Sequence, residues 1–154
     1  MRRLTKGIVI FIAQAAYTGR FPMAPGTAGT LVGVLLFLAM NGFSPWAYVC
    51  AWLLIFIIGL WAAGRAEVVL GRKDHPSIVI DEVAGYLLGM FMLPAGWAYV
   101  IAGFALFRVF DVVKPFPLRR IQDFHGGIGV MLDDIGAGIY TNLALRIGAA
   151  LLRG

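Results

Sequence analysis

Two pairs of adjacent acids, Asp81-Glu82 and Asp133-Asp134, stand out in a chain whose Asp and Glu together number 8. Asp81 and Glu82 open an apolar run. One carboxylate there would suit the positive end of a helix dipole. Two, entering an apolar helix beside Gly85, point further, because ionisable groups at such positions are costly and usually functional. Asp133 and Asp134 follow His125-Gly126-Gly127-Ile128-Gly129. Adjacent carboxylates offer the oxygen ligands that a hard cation such as Mg2+ prefers, often shared with a substrate phosphate. The glycines, Gly127 among them, could form a backbone nest for an anion or serve as a hinge. Arg108, Asp111 and Lys114 recur at i, i+3 and i+6, which on a helix sets Asp111 beside both cations, until Pro115 and Pro117 end it. The trio is either a salt-bridged helix end or a site where the acid binds metal and the cations bind phosphate. Pro25-Gly26-Thr27-Ala28-Gly29-Thr30 leads into another run, where a hydroxyl is either an N-cap or, with free N–H groups, a phosphate ligand.

The elements that must carry these residues belong to a membrane protein. The chain has 154 residues, 60% hydrophobic and 14% charged, with a mean hydropathy of +0.85, whereas soluble domains carry roughly 25% charged residues. One domain spanning 1–154 is expected, and the composition argues against a soluble single-domain enzyme and against a disordered chain. The net charge of +5 is expected at the ends of membrane segments, against anionic lipid heads rather than nucleic acid. Cys50 is the single cysteine, so there is no internal disulfide, no Cys-x5-Arg phosphatase loop and little basis for a zinc site. The basic, apolar N-terminus looks superficially like a signal peptide and is read as retained.

Five apolar runs, Ile8–Ala16, Leu31–Met40, Trp46–Ala63, Val83–Leu93 and Trp97–Phe107, precede a more mixed sixth, Ile135–Leu152. Trp46–Ala63 alone approaches the ~20 residues of a full span. Asn41–Pro45 and Pro94–Gly96 carry no charge, while the other connections are rich in it. That predicts two helical hairpins with uncharged tips, all charged loops on one, cytoplasmic side, and a first run that lies along the interface or dips and returns. Gly29-x3-Gly33 and Gly85-x3-Gly89 predict close helix packing. The expected fold is an all-α, small polytopic membrane helix bundle with short or re-entrant helices and charged loops on one face.

Four segments taken together resemble the phosphatidylglycerophosphatase A family: Pro25-Gly26-Thr27-Ala28-Gly29-Thr30, Asp81-Glu82-x2-Gly85, Phe107-Arg108-x2-Asp111-x2-Lys114-Pro115-x-Pro117, and His125-Gly126-Gly127-x-Gly129-x-Met131-x-Asp133-Asp134-x2-Ala137-Gly138. They run in the family's order from about Gly19 to Gly138; Thr30 stands where many members carry serine. The resemblance implies a Mg2+-dependent, multi-pass enzyme of bacterial inner membranes, its site facing the cytoplasm, that removes the terminal phosphate of phosphatidylglycerophosphate to give phosphatidylglycerol. Asp81, Glu82, Asp111, Asp133 and Asp134 are then the candidate metal ligands. Lys114 and Arg108, with Thr30, Gly127 and more weakly Arg20, are the candidates for binding phosphate. Glu82, Asp81 and Asp133 are candidates for the catalytic work, Glu82 as general base. His125 is a candidate to protonate the leaving oxygen or to hold the turn, and Thr27 a weaker one for a nucleophile. Arg119 and Arg120, beyond the prolines, are expected to meet lipid heads. Self-association is left open. The competing expectation is a small divalent-cation transport or ion-binding membrane protein without enzymatic activity, which would place acids near the bilayer midplane and repeat its motifs.

Overall fold

The computed structural model describes residues 3–121 and 126–153, and the regular elements among them are all helical. Helix α1 (Arg3–Ala13) leads through a 3-10 turn (Thr18–Arg20) to α2 (Pro25–Ala39) and α3 (Pro45–Leu70). Then come α4 (Ile80–Gly89), α5 (Trp97–Val113), the single turn α6 (Leu118–Ile121) and α7 (Gly127–Arg153). Pro45–Leu70 and Gly127–Leu152 are long and apolar enough to cross a membrane. The mixed C-terminal run is thus part of a second span-length helix. Leu53, Leu54 and Ile57 on α3 and Ile139, Leu143 and Ile147 on α7 are exposed, as lipid-facing side chains are.

Local chemistry sets the ends. Ser44 caps α3 by accepting from the Ala47 N–H at 3.3 Å, with Pro45 in the first turn, where a missing N–H does no harm. Gly71, at φ 68°, closes the same helix in the left-handed conformation that glycine adopts freely. Lys114 ends α5 with φ 46°, and Pro115 cannot continue it. After α1 the chain reverses through Ala15, Ala16 and Tyr17, all with positive φ. With 11 residues, α1 is too short to span. It packs on α3 and leaves Leu4, Ile8 and Phe11 exposed, as an interfacial helix would.

The hairpin tips fall where expected, at residues 40–44 and 90–96. The arms of the first hairpin, however, are not each other's main partners. Both α2 and α3 pack on α4, which also contacts α5 and α7. Helix α7 crosses the bundle and brings Arg146 to the tip end, where it donates to the Phe91 carbonyl at 3.1 Å, so a helix supplies a charge beside tips that carry none.

Helix α4 is the centre. It has 10 residues, of which Ile80, Asp81, Val83, Ala84, Gly85, Tyr86, Leu87 and Gly89 are buried. At 1.5 Å per residue it rises about 15 Å, half the hydrocarbon thickness. A half-length helix leaves its last carbonyls unpaired in apolar surroundings, where each needs a donor. Tyr48 donates to Leu87 O at 2.6 Å, and the Asn142 amide to both Gly89 O and Phe91 O at 2.9 Å.

Glycines allow the neighbours to come this close. A Cβ at Gly33 would press on Tyr86, and one at Gly29 on Val79. A Cβ at Gly85 would lie 2.5 Å from the Asp134 carbonyl and 2.8 Å from Phe107, and one at Gly138 would collide with the Gly85 carbonyl. Gly85→Val is therefore expected to destabilise the protein by about 1–3 kcal/mol through overpacking. Gly42→Ala, at a tip with nothing within 4 Å, is expected to be neutral. Thermal unfolding in detergent checks both; equal melting of the two variants would contradict the packing.

Candidate active site

The starts of α2, α4 and α7 and the end of α5 meet at one end of the bundle. Asp81 and Glu82 occupy the first turn of α4. Asp134 lies two turns into α7, set against α4 by the contact at Gly85. One carboxylate oxygen from each of Asp81, Glu82 and Asp134 lies within 4.8 Å of the others. Asp81 is 8% exposed and Asp134 3%. Asp81 Oδ1, Glu82 Oε2 and Asp134 Oδ2 are buried without a hydrogen-bond partner.

Two cations flank this trio. Arg108 donates from Nη1 to Asp111 Oδ2 at 2.7 Å, the expected i, i+3 pair, and the same nitrogen stands 3.9 Å from Glu82 Oε1. Lys114 departs from expectation. Its left-handed backbone turns it off the Arg108 face, and its ammonium pairs with Asp133 Oδ2 instead. Burial works against the Lys114 charge. The hydrogen bond and charge of Asp133, with Asp134 and Asp111 beyond, outweigh it and hold the ammonium above its ordinary pKa. Asp133 Oδ1 accepts from the Asp134 N–H at 3.1 Å.

The five acids expected as metal ligands are therefore brought together but divided. Asp111 and Asp133 are engaged by Arg108 and Lys114. Asp81, Glu82 and Asp134 keep the orphaned oxygens. Burying charge without a partner is expensive, and carboxylates this close repel one another. Oxygen-only donors in that state fit a hard divalent cation.

The other expected residues separate. Gly26 meets Glu82 and Arg108, which puts the half-buried Thr27 and the α2 N-terminus at the edge of the cluster. Thr30 does not serve phosphate: it is fully buried and its hydroxyl donates to Gly26 O at 2.8 Å within its own helix. Gly127 is buried against Leu60 O and Gly64 of α3, so it is a packing contact rather than an open nest. Arg20 donates to Gln14 Oε1 at 2.9 Å and lies 4.3 Å over the Tyr17 ring, outside the carboxylate cluster. His125 lies outside the described residues.

One supporting group was missed. Gln14 is buried and donates to Ser77 Oγ at 2.8 Å while holding Arg20, and Ser77 Oγ lies 2.9 Å from His75 Nδ1. The Val79 N–H donates to Ala13 O at 2.9 Å. Together these tie α1 to the loop that delivers Asp81. The signal was present in the sequence as the one polar residue in the Ile8–Ala16 run.

Crowding of this kind has a consequence that can be measured without turnover. Asp134→Asn removes one of the repelling charges and is expected to raise the melting temperature of metal-stripped protein by a few degrees, about 1 kcal/mol on the usual scale. Millimolar Mg2+ is expected to stabilise the wild type and not this variant. Equal Mg2+ responses of the two proteins would contradict a cation site there.

The sequence profile of the phosphatidylglycerophosphatase A family matches residues 11–149. A Bacteroides thetaiotaomicron protein named "Putative phosphatidylinositol-3-phosphatase" is 36% identical over 146 residues, covering 90% of this chain and 91% of its own. Proteins named phosphatidylglycerophosphatase A from Escherichia coli K12 and Haemophilus influenzae are each 38% identical. The first alignment covers 80% of this chain and 73% of the relative, the second 80% and 78%. No solved structure matches. The four spaced segments, their convergence at one end of the bundle and a family match over nearly the whole chain lead to one conclusion: the chain belongs to the phosphatidylglycerophosphatase A family of phosphatases.

Proposed function

We propose that the chain is a Mg2+-dependent lipid phosphatase of phospholipid biosynthesis. It hydrolyses phosphatidylglycerophosphate to phosphatidylglycerol and phosphate, at a site facing the cytoplasm from the bacterial inner membrane. The observation that carries the reading is the trio of buried, unpartnered oxygens on Asp81, Glu82 and Asp134, in a family whose relatives are named for phosphatase activity. The relative named for a phosphoinositide supports the same substrate class, a phosphomonoester on the polyol headgroup of a phospholipid.

Asp81, Glu82 and Asp134 would hold Mg2+. When bound, Mg2+ would offset phosphate charge and polarise the phosphoryl group. The remaining chemistry falls to the chain. Arg108, held by Asp111 and close to Glu82, has further N–H donors for the equatorial phosphate oxygens, and an Arg–phosphate pair of this kind is strong. Lys114, oriented by Asp133, supplies a second cation at the mouth of the site. The N-terminus of α2, at Gly26 and Thr27 beside Glu82 and Arg108, presents N–H groups suited to an anion. Glu82 Oε1, the oxygen turned toward Arg108, is assigned the proton of the attacking water. The leaving glycerol oxygen needs a proton, for which His125 is the candidate that the sequence offers, beside its alternative role of holding the turn.

The transport reading receives less support. The acids gather at one end of the helices, within reach of a lipid headgroup, rather than halfway along a path.

Purified protein in detergent is expected to release phosphate from phosphatidylglycerophosphate, to stop on addition of EDTA and to recover with Mg2+. Asp81→Asn and Asp134→Asn are each expected to lower kcat by about a hundredfold to ten-thousandfold, the scale of several kcal/mol of charge stabilisation. Undiminished turnover by metal-stripped protein would sink the reading.

A further inference from the structure

Next to the carboxylate cluster lies an open cavity of ≈ 350 Å3, lined by Val113, Lys114, Pro115, Phe116, Arg119 and Arg120. That is room for a small polar headgroup. Its inner wall is Lys114, whose ammonium is bound to Asp133, the neighbour of Asp134. Its outer wall is Arg119 and Arg120, both exposed.

Both guanidinium groups are set in place. Arg119 Nη2 donates to the Val113 carbonyl at 3.2 Å. Arg120 Cζ lies 5.2 Å over the Phe116 ring, a cation–π contact that uses none of its N–H donors. A guanidinium has five N–H donors in a fixed fork, so each retains donors for a ligand. The segment beneath them is docked. Tyr140 of α7 donates to Phe116 O at 2.9 Å, and the buried Leu118 fills the space over Gly136. Around the cations, Val112, Val113 and Phe116 are 71%, 53% and 72% exposed. Fixed cations beside exposed apolar side chains suit the boundary between lipid phosphates and acyl chains.

We propose that this cavity binds the phosphodiester of the substrate lipid, with Arg119 and Arg120 as the groups that recognise it. The inference rests on the reading of the site as a lipid phosphatase and deepens it. A lipid such as phosphatidylglycerophosphate carries two phosphates, a diester next to the diacylglycerol and a monoester at the far end of the polyol. With the diester on Arg119 and Arg120 and the acyl chains against Val112 and Phe116, the monoester is directed past Lys114 toward Asp133 and the carboxylate cluster. Recognition of two phosphates at two places makes the polyol between them a ruler. A lipid whose phosphate is a monoester placed directly on diacylglycerol cannot satisfy both. This gives the pair a part in specificity, beyond the general attraction of basic residues to anionic membranes.

The test uses dihexanoylphosphatidylglycerol, which has the phosphodiester and lacks the terminal phosphate. It is titrated into purified, detergent-solubilised protein by calorimetry, and hydrolysis of phosphatidylglycerophosphate is measured in parallel. The Arg119→Gln/Arg120→Gln pair is expected to raise the Kd for the probe and to lower kcat/KM for the substrate, each by about tenfold to a hundredfold, the scale of charge-assisted hydrogen bonds. The Arg119→Lys/Arg120→Lys pair keeps charge but loses the fork; it is expected to fall between, and it carries the test if the glutamine pair does not fold. Arg72→Gln, which removes a cation from the exposed loop after α3, is expected to change neither quantity by more than about twofold, as befits a screened surface charge. An unchanged Kd in the arginine variants, or an equal loss in Arg72→Gln, overturns the assignment whatever the turnover. Probe binding that depends on both arginines, in a wild type that releases no phosphate from phosphatidylglycerophosphate, would keep the cavity and overturn the phosphatase reading instead.

Discussion

The contact of two helix backbones at Gly85 and Gly138 is the constraint on which the site depends. Helices α4 and α7 approach so closely there that a Cβ on either glycine meets a backbone carbonyl of the other helix. Only at that separation do Asp81 and Glu82, from one helix, come within 4.8 Å of Asp134, from the other. Dispersion between small-residue surfaces drives such contacts in lipid, where apolar burial gives little. It must here also outweigh the repulsion of acids that it forces together. Arg108 and Lys114 neutralise part of that charge through Asp111 and Asp133. The three remaining unpartnered oxygens are what a divalent cation would satisfy, so binding energy for the cation and packing energy for the bundle are linked.

A second constraint follows from lipid as solvent. Helix α4 carries two acids in its first turn and is buried along most of its length, so the carbonyls at its end need partners from neighbouring helices. At its end, Tyr48 and Asn142 satisfy carbonyls of Leu87, Gly89 and Phe91, helped by Arg146. At its start, the loop before it is tied to α1 through Gln14, Ser77 and the Val79–Ala13 hydrogen bond. A short helix held at both ends is a stiff platform for its first turn. Stiffness there matters, because charge stabilisation in catalysis depends on donors and acceptors already in position.

Much of this was legible in the sequence, for definite reasons. The uncharged tips marked the turns, because the charged residues fall in the other connections, as expected of loops on the Lys/Arg-rich side of a membrane protein. Gly29, Gly33, Gly85 and Gly89 announced close contacts, since spacing by four keeps small residues on one helix face. The Arg108–Asp111 pair is local and was visible from the i, i+3 spacing. What was hidden is tertiary or depends on backbone conformation. The left-handed cap at Lys114 turns its side chain toward Asp133, a partner 19 residues away. Thr30 could have faced phosphate; its hydroxyl is instead consumed by the carbonyl four residues back. Nor could hydropathy show that α4 would stand between the arms of the first hairpin, because the runs Leu31–Met40 and Val83–Leu93 carry no record of their neighbours.

The central claim is that Asp81, Glu82 and Asp134 form one divalent-cation site. Anomalous diffraction from crystals of the full chain grown with Mn2+, a spectroscopic stand-in for Mg2+ that also takes oxygen ligands, tests it most directly. The account predicts an anomalous peak bounded by one carboxylate oxygen from each of these three residues, with the Asp133–Lys114 and Asp111–Arg108 pairs intact or exchanged for ligands of the cation's outer shell. A peak elsewhere in the bundle, or none at saturating Mn2+ with the three carboxylates still in place, would contradict it.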